Sequence, residues 1–334
     1  MSLAQVEQIA KALLYEGYML YPYRPSSVKN QQRWNFGVLY PPAYCDARGG
    51  SDASAMRTEC LVTGTVRTMM EVRLRFLQLQ LRSMRRFDEP VVDPQSVGWQ
   101  EAVERKVAVP VFPLETGLFG PVTQKFYFPA QTVVDAESNS RGVAGDAVVR
   151  EQSELRGELV ITCQRIRADL LKLRIDVSNT TSLPNPGVSR DEALQHSLVS
   201  THMILGAEGG EFVSLLEPPD ELQELTAQCD NTGAWPVLVG APGQRDTLLA
   251  SPIILYDYPQ IAPESAGDLF DGTEIDEILS LRILTLSDDE KREIRQSDER
   301  ARRILERTEA MPAEQFLKLH GAVRGLRPVK KGTR

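Results

Sequence analysis

The feature that most constrains this chain is a strict alternation of apolar and polar residues. Leu171, Leu173, Ile175 and Val177 point one way, and Lys172, Arg174 and Asp176 the other. A period of two marks a strand with one dry and one wet face, so the chain must build an antiparallel sheet over a core. Residues 159–166 are expected to pair with this strand as a hairpin turning at Ala168 and Asp169. A longer run, residues 62–82, alternates in two phases. Val72, Leu74 and Phe76 share one face, and Leu77, Leu79 and Leu81 follow out of step. A slip of one residue reverses the buried face, so a bulge is expected near Phe76 and Leu77.

The rest of the chain supplies further elements. Val6, Ile9, Ala10, Leu13 and Leu14 recur at helical spacing. Residues 198–205 and 212–216 read as a hairpin through Glu208, Gly209 and Gly210. Residues 219–229 read as a short helix, and 237–239 and 253–256 as short buried strands. Toward the C-terminus, Asp271 with Glu274 and Ser287 with Glu290 match the capping-box spacing. A helix over 287–309 carries a narrow apolar stripe of Ile294, Ala301, Ile304 and Leu305 among charged residues. The expected fold is α+β, with an antiparallel, β-rich, sandwich-like core. Residues 1–56 form an N-terminal helix and an aromatic segment wrapped on the core. The core spans 57–260, and 261–334 form a helical C-terminal arm.

Composition narrows the function classes. At 334 residues the chain exceeds a typical single core, and 42% hydrophobic with 25% charged residues is ordinary for a globular protein. No run approaches the ~18 apolar residues of a membrane span, and the first residues lack the basic and apolar regions of a signal peptide. A cytoplasmic location is therefore expected. The net charge of −8 argues against nucleic acid or an anionic membrane as partner. Cys45, Cys60, Cys163 and Cys229 are dispersed, as buried thiols of a reducing compartment usually are.

No motif forces a chemistry, and no cofactor is expected. The three histidines, His196, His202 and His320, match no zinc spacing with those cysteines. Ser26 and Lys29 fit S-x-x-K but lie in a proline-rich stretch rather than at a helix start. Residues 206–210 are glycine-rich, yet Glu208 and Glu211 put negative charge where a phosphate would sit, so a turn is the better reading. In the acidic segment 264–277, Asp271, Glu274 and Asp276 are weak candidates for a hard cation or acid–base work. Helix capping accounts for the first two directly. Six of the nine tyrosines fall between Tyr15 and Tyr44. Within that stretch Tyr21, Tyr23, Arg24, Arg33 and Trp34 form a candidate protein-binding surface, since Tyr, Trp and Arg dominate interface hot spots. The competing reading is that these rings pack the segment onto the core. The charged 287–309 helix is a second candidate surface.

Three stretches carry a resemblance. They are Leu14-Tyr15-Glu16-Gly17 with Tyr21-Pro22-Tyr23-Arg24-Pro25 and Gln32-Arg33-Trp34, then Gly209-Gly210-Glu211-Phe212-Val213-Ser214-Leu215-Leu216, then Ser251-Pro252-Ile253-Ile254-Leu255-Tyr256-Asp257-Tyr258-Pro259, running on to Asp276-Glu277. They resemble a bacterial family of uncharacterised proteins encoded beside NiFe-hydrogenase structural and maturation genes. The resemblance spans most of the chain and carries over no catalytic residue. It implies a non-enzymatic accessory or assembly protein that binds a hydrogenase subunit or a maturation factor. The alternatives are a stable subunit of a hydrogenase complex, or a metal-assisted hydrolase using segment 264–277.

Overall fold

A computed structural model of the chain describes residues 3–16, 18, 21–24, 27, 30, 33–85, 99–138, 144–260, 276–296 and 299–312. It divides into two compact units, one of residues 1–16 and 34–260, the other of 17–33 and 261–334.

The first unit contains, in chain order, α1 (Leu3–Leu14), α2 (Pro42–Arg48), β1 (Ala55–Thr63), β2 (Met69–Arg85), β3 (Trp99–Pro113), α3 (Leu114–Phe119), β4 (Val122–Phe128), β5 (Gln131–Ser138), β6 (Ala144–Gln152), β7 (Leu155–Arg167), β8 (Leu170–Asn179), α4 (Arg190–Leu194), β9 (Val199–Glu208), β10 (Glu211–Phe212), α5 (Gln223–Ala227), β11 (Trp235–Leu238) and β12 (Thr247–Ser251). The strands form two antiparallel sheets. One has the order β10-β1-β8-β7-β4 and the other β11-β12-β9-β2-β6-β5, with β3 paired along the opposite side of β2. Their inner faces meet in one core. Cys60, Val62, Leu173 and Ile175 come from the first sheet, and Val72, Leu74, Phe76, Met203 and Leu205 from the second. This is the α+β, β-rich, antiparallel fold that the alternation predicts.

Two local expectations hold at the level of register. β7 and β8 form a hairpin closed by Arg167 opposite Leu170. The β2–β9 pairing shifts between Arg75 and Leu77, at the expected place, but the extra residue lies on β9, between Val199 and His202; β2 itself runs in unbroken register with β3 there, and its consecutive Phe76 and Leu77 are both fully buried. Phe76 packs against the rings of Phe126 and Phe128, with centroids at 5.6 and 5.8 Å.

Two others are corrected. Residues 198–205 and 212–216 do not form a hairpin: β9 belongs to the second sheet, and β10 pairs with β1 in the first. The chain crosses between sheets at Gly209, which has φ +76°, and Gly210, where a Cβ would lie 2.7 Å from Thr68 Cγ2 and 2.9 Å from Thr63 O. A tight crossing of this kind needs glycine. Residues 253–256 are not a buried strand either; Ile254 and Tyr256 are 72% and 87% exposed. The partner of β11 is β12. The segment instead closes the β11 edge: Asp257 Oδ1 accepts from Leu238 N at 2.7 Å, and Tyr258 N donates to Leu238 O at 2.7 Å. Asp257 Oδ2 also accepts from Ser214 Oγ at 2.5 Å, so the stretches 209–216 and 251–259 meet at this carboxylate.

The second unit contains α6 (Asp276–Leu284), α7 (Asp288–Gln296) and α8 (Glu299–Glu309). Ser287 and Glu290 form the expected capping box: Ser287 N donates to Glu290 Oε2 at 2.9 Å, and Glu290 N to Ser287 Oγ at 3.3 Å. The predicted stripe is buried, with Ile294, Ala301, Ile304 and Leu305 each at most 2% exposed. The stretch read as one helix over 287–309 is described as two spans, α7 and α8, joined by ion pairs of Lys291 and Arg295 with Glu309 at 3.3 and 2.8 Å.

Candidate functional site

A groove of about 830 Å³ lies in the first unit at the crossing between the sheets. Four glycines line it: Gly206 near the end of β9, Gly209 and Gly210 at the crossing, and Gly243 on the β11–β12 connection. Glycines leave the main chain open to close approach. Glu71 of β2, Glu208, Glu211 and Asp246 supply carboxylates, against the single guanidinium of Arg245. Glu208, Glu211, Arg245 and Asp246 are all exposed. The groove therefore offers a net negative lining and many backbone polar groups, which suits an extended, basic ligand.

A smaller pocket of about 140 Å³ shares Glu71, Gly206, Asp246 and Thr247 with the groove and continues it under α1. There the outer face of the second sheet carries a layer of charge. Arg75 on β2 is 2% exposed. Its guanidinium reaches Glu7 of α1 at 2.9 Å and Glu104 of β3 at 3.4 Å. Tyr15 donates to Glu104 at 2.9 Å, and Lys106 and Arg73 approach Glu7 at 3.4 and 3.7 Å. Arg73 also pairs with Glu71 at 2.5 Å, joining this layer to the groove. Paired, hydrogen-bonded charges are the tolerable way to bury a guanidinium. His202 lies opposite Arg75 in the β2–β9 register and is fully buried. One ring nitrogen meets Ser200 O at 2.9 Å, and Nε2 has no hydrogen-bond partner among the described residues. Burial and the neighbouring guanidinium push the imidazole down to about 4, so it is neutral at pH 7.

The residues singled out in the sequence fall in different places. Tyr23 is 1% exposed, Trp34 4% and Arg33 6%, so these three are not a surface. Tyr21 and Arg24 keep partial exposure. Within the second unit, Arg33 donates to Tyr18 O at 2.6 Å and stacks over the Tyr18 ring at 4.8 Å. Arg300 stands over the same ring at 5.4 Å and Arg282 over Tyr21 at 5.6 Å, while Arg24 pairs with Glu290 at 3.1 Å. The segment 17–33 thus groups with the C-terminal helices in one compact unit. Trp34 belongs to the first unit and donates from Nε1 to Gln100 at 2.9 Å. Rings and guanidiniums that looked like a hot spot satisfy one another instead, because an aromatic–cation pair is as useful inside a fold as across an interface.

Asp271 and Glu274 lie outside the described residues, and of Asp276 only the helical backbone is described. Among the described residues no three His, Cys, Asp or Glu side chains converge as a metal site, and no helix is long and apolar enough to cross a membrane. The four thiols are free. Burial pushes Cys163 and Cys229 up to about 11, and raises Cys60 and Cys45 as well, so thiolate nucleophiles are disfavoured at neutral pH. Reasoning from the sequence passed over Glu71, Arg245 and Asp246, which reach the groove only through tertiary pairing. The adjacent Glu208-Gly209-Gly210-Glu211 was the legible signal, read there only as a turn. Compared with known proteins, the chain matches no family model and no curated protein.

Proposed function

We propose that this chain is a non-enzymatic accessory or assembly protein for a NiFe hydrogenase, and that it holds a basic, extended segment of its protein partner in the acidic groove. The observation that supports this reading is a coincidence of place. Gly209, Gly210 and Glu211, which open one of the family-like stretches, also line the groove. The lining explains why those residues belong together: glycines admit a peptide backbone, and the carboxylates select a basic one. The partner is a hydrogenase subunit or maturation factor, as the resemblance implies, and the setting is the cytoplasm.

The test is co-purification with a tagged chain from its native host, followed by mass spectrometry. The reading expects hydrogenase subunits or maturation factors with wild type, and their loss on Glu208→Lys/Glu211→Lys. Both positions are exposed, so the variant retains its fold. Recovery that is equal with both proteins would refute the groove as the binding surface, and absence of any hydrogenase-related protein would refute the assignment to that system.

A further inference from the structure

β3 is an edge strand of 15 residues, paired with β2 on one side. On the other side, the main-chain groups from Glu101 to Val109 meet no backbone partner among the described residues. Long flat edges are rare in monomers because they recruit another strand. Here the residue order within the edge is informative. Consider a second copy of β3 laid antiparallel, with the two-fold axis passing through Arg105. Glu104 then faces Lys106 of the second copy, and Lys106 faces its Glu104. Val103 faces Val107 and Ala102 faces Ala108, again in both directions. Moving the axis to Glu104 or to Lys106 sets like charges opposite each other. Moving it to Val103 or Val107 leaves Glu104 and Lys106 opposite alanine, proline or glutamine. Lys106, which on an edge would usually repel a second strand, is matched by a carboxylate only in the Arg105 register.

The side chains are disposed to allow this. Lys106 is 60% exposed and Glu104 29%. Arg105, which lies on the axis, is turned into its own sandwich. It donates to Gln78 at 2.7 Å and Gln152 at 3.1 Å, and covers the Phe128 ring at 4.7 Å. Pro110 and the register shift between Met70 and Val72 stop the free run just past Val109. We infer that the β3 edge is a self-complementary interface, through which two copies of this chain join their second sheets into one continuous sheet. An isologous two-fold contact of this sort closes on itself and forms no fibre.

The experiment is sedimentation velocity on the full chain from about 1 to 100 μM, alongside hydrogen exchange at both ends of that range. The expected result is a monomer–dimer equilibrium in which the amides of residues 101–109 gain protection as the dimer fills. Lys106→Glu places like charges opposite each other twice and is expected to weaken dimerisation at least about tenfold while the far-UV circular dichroism of the monomer stays that of wild type. A chain that stays monomeric at 100 μM would overturn the inference. So would a dimer whose 101–109 exchange ignores concentration, or one that Lys106→Glu leaves intact. None of these outcomes bears on whether the groove binds a partner.

Discussion

Lowering the pH should loosen the first unit through a single buried imidazole. In the unfolded chain His202 titrates near its ordinary value of 6.5, whereas in the fold it is held at about 4. The groups that face it are Arg75 on β2, Glu104 on β3 and Glu7 on α1, and the guanidinium is the closest in register. The native state refuses a proton that the unfolded chain accepts. The stability this contributes is complete above pH 6.5 and is lost as pH falls toward 4. Linkage puts the loss at about 2 kcal/mol by pH 5 and about 3 kcal/mol by pH 4. With a urea dependence of roughly 2–3 kcal/mol per molar, the unfolding midpoint should fall by about 1 M from this group alone. His202→Gln removes the titration and keeps a donor for Ser200 O. Other carboxylates also protonate in this range, so the readout is the difference between wild type and variant in urea midpoints at pH 7, 5 and 4. Parallel pH profiles for the two proteins would refute the argument, since they would mean that His202 takes its proton without cost.

Further outcomes follow from the same geometry. Removing both carboxylates around Arg75, by Glu7→Gln/Glu104→Gln, should cost about 3 kcal/mol in urea unfolding, because it strands a buried charge. Arg75→Met, which removes that charge, should cost about 1 kcal/mol or less. Gly210→Ala should destabilise by about 1–3 kcal/mol, since the new methyl meets backbone Thr63 O as well as Thr68, and a melt within 1 °C of wild type would contradict the tight crossing. Ser287→Ala should remove about 1 kcal/mol from the second unit by deleting its capping box, read as earlier loss of helical circular dichroism.

How much of this was legible depended on whether the signal was local. The β7–β8 hairpin, the Ser287 cap and the stripe on α7 and α8 are set by neighbours within a few residues, and periodicity reports them directly; the slip at Phe76 and Leu77 marked a register shift whose extra residue sits on β9, a strand far off in sequence. The β3-to-β6 strands were invisible, because edge and half-exposed strands such as β4 and β5 mix polar residues into both faces. The 198–216 stretch misled for a different reason. A glycine pair after a strand resembles a hairpin turn, and only the positions of Thr63 and Thr68 show that the chain changes sheets there. The aromatic segment misled because composition reports which side chains can bury area, not against what. Tyr18, Tyr23 and Arg33 bury theirs within the chain. The groove was half legible: Glu208 and Glu211 stood out as acidic, but Glu71 and Asp246 join them only once β2, β9 and β12 are paired.

The most direct test of the account is quantitative recovery of the proposed hydrogenase partner from the native host by tagged wild type and by Glu208→Lys/Glu211→Lys, side by side at matched expression. Two reversed charges in a groove proposed to select a basic segment should lower recovery at least about tenfold, and raising the salt in the wash should weaken the wild-type complex. Recovery that is indifferent to both the charge reversal and the salt would contradict the claim that this groove is where the protein does its work.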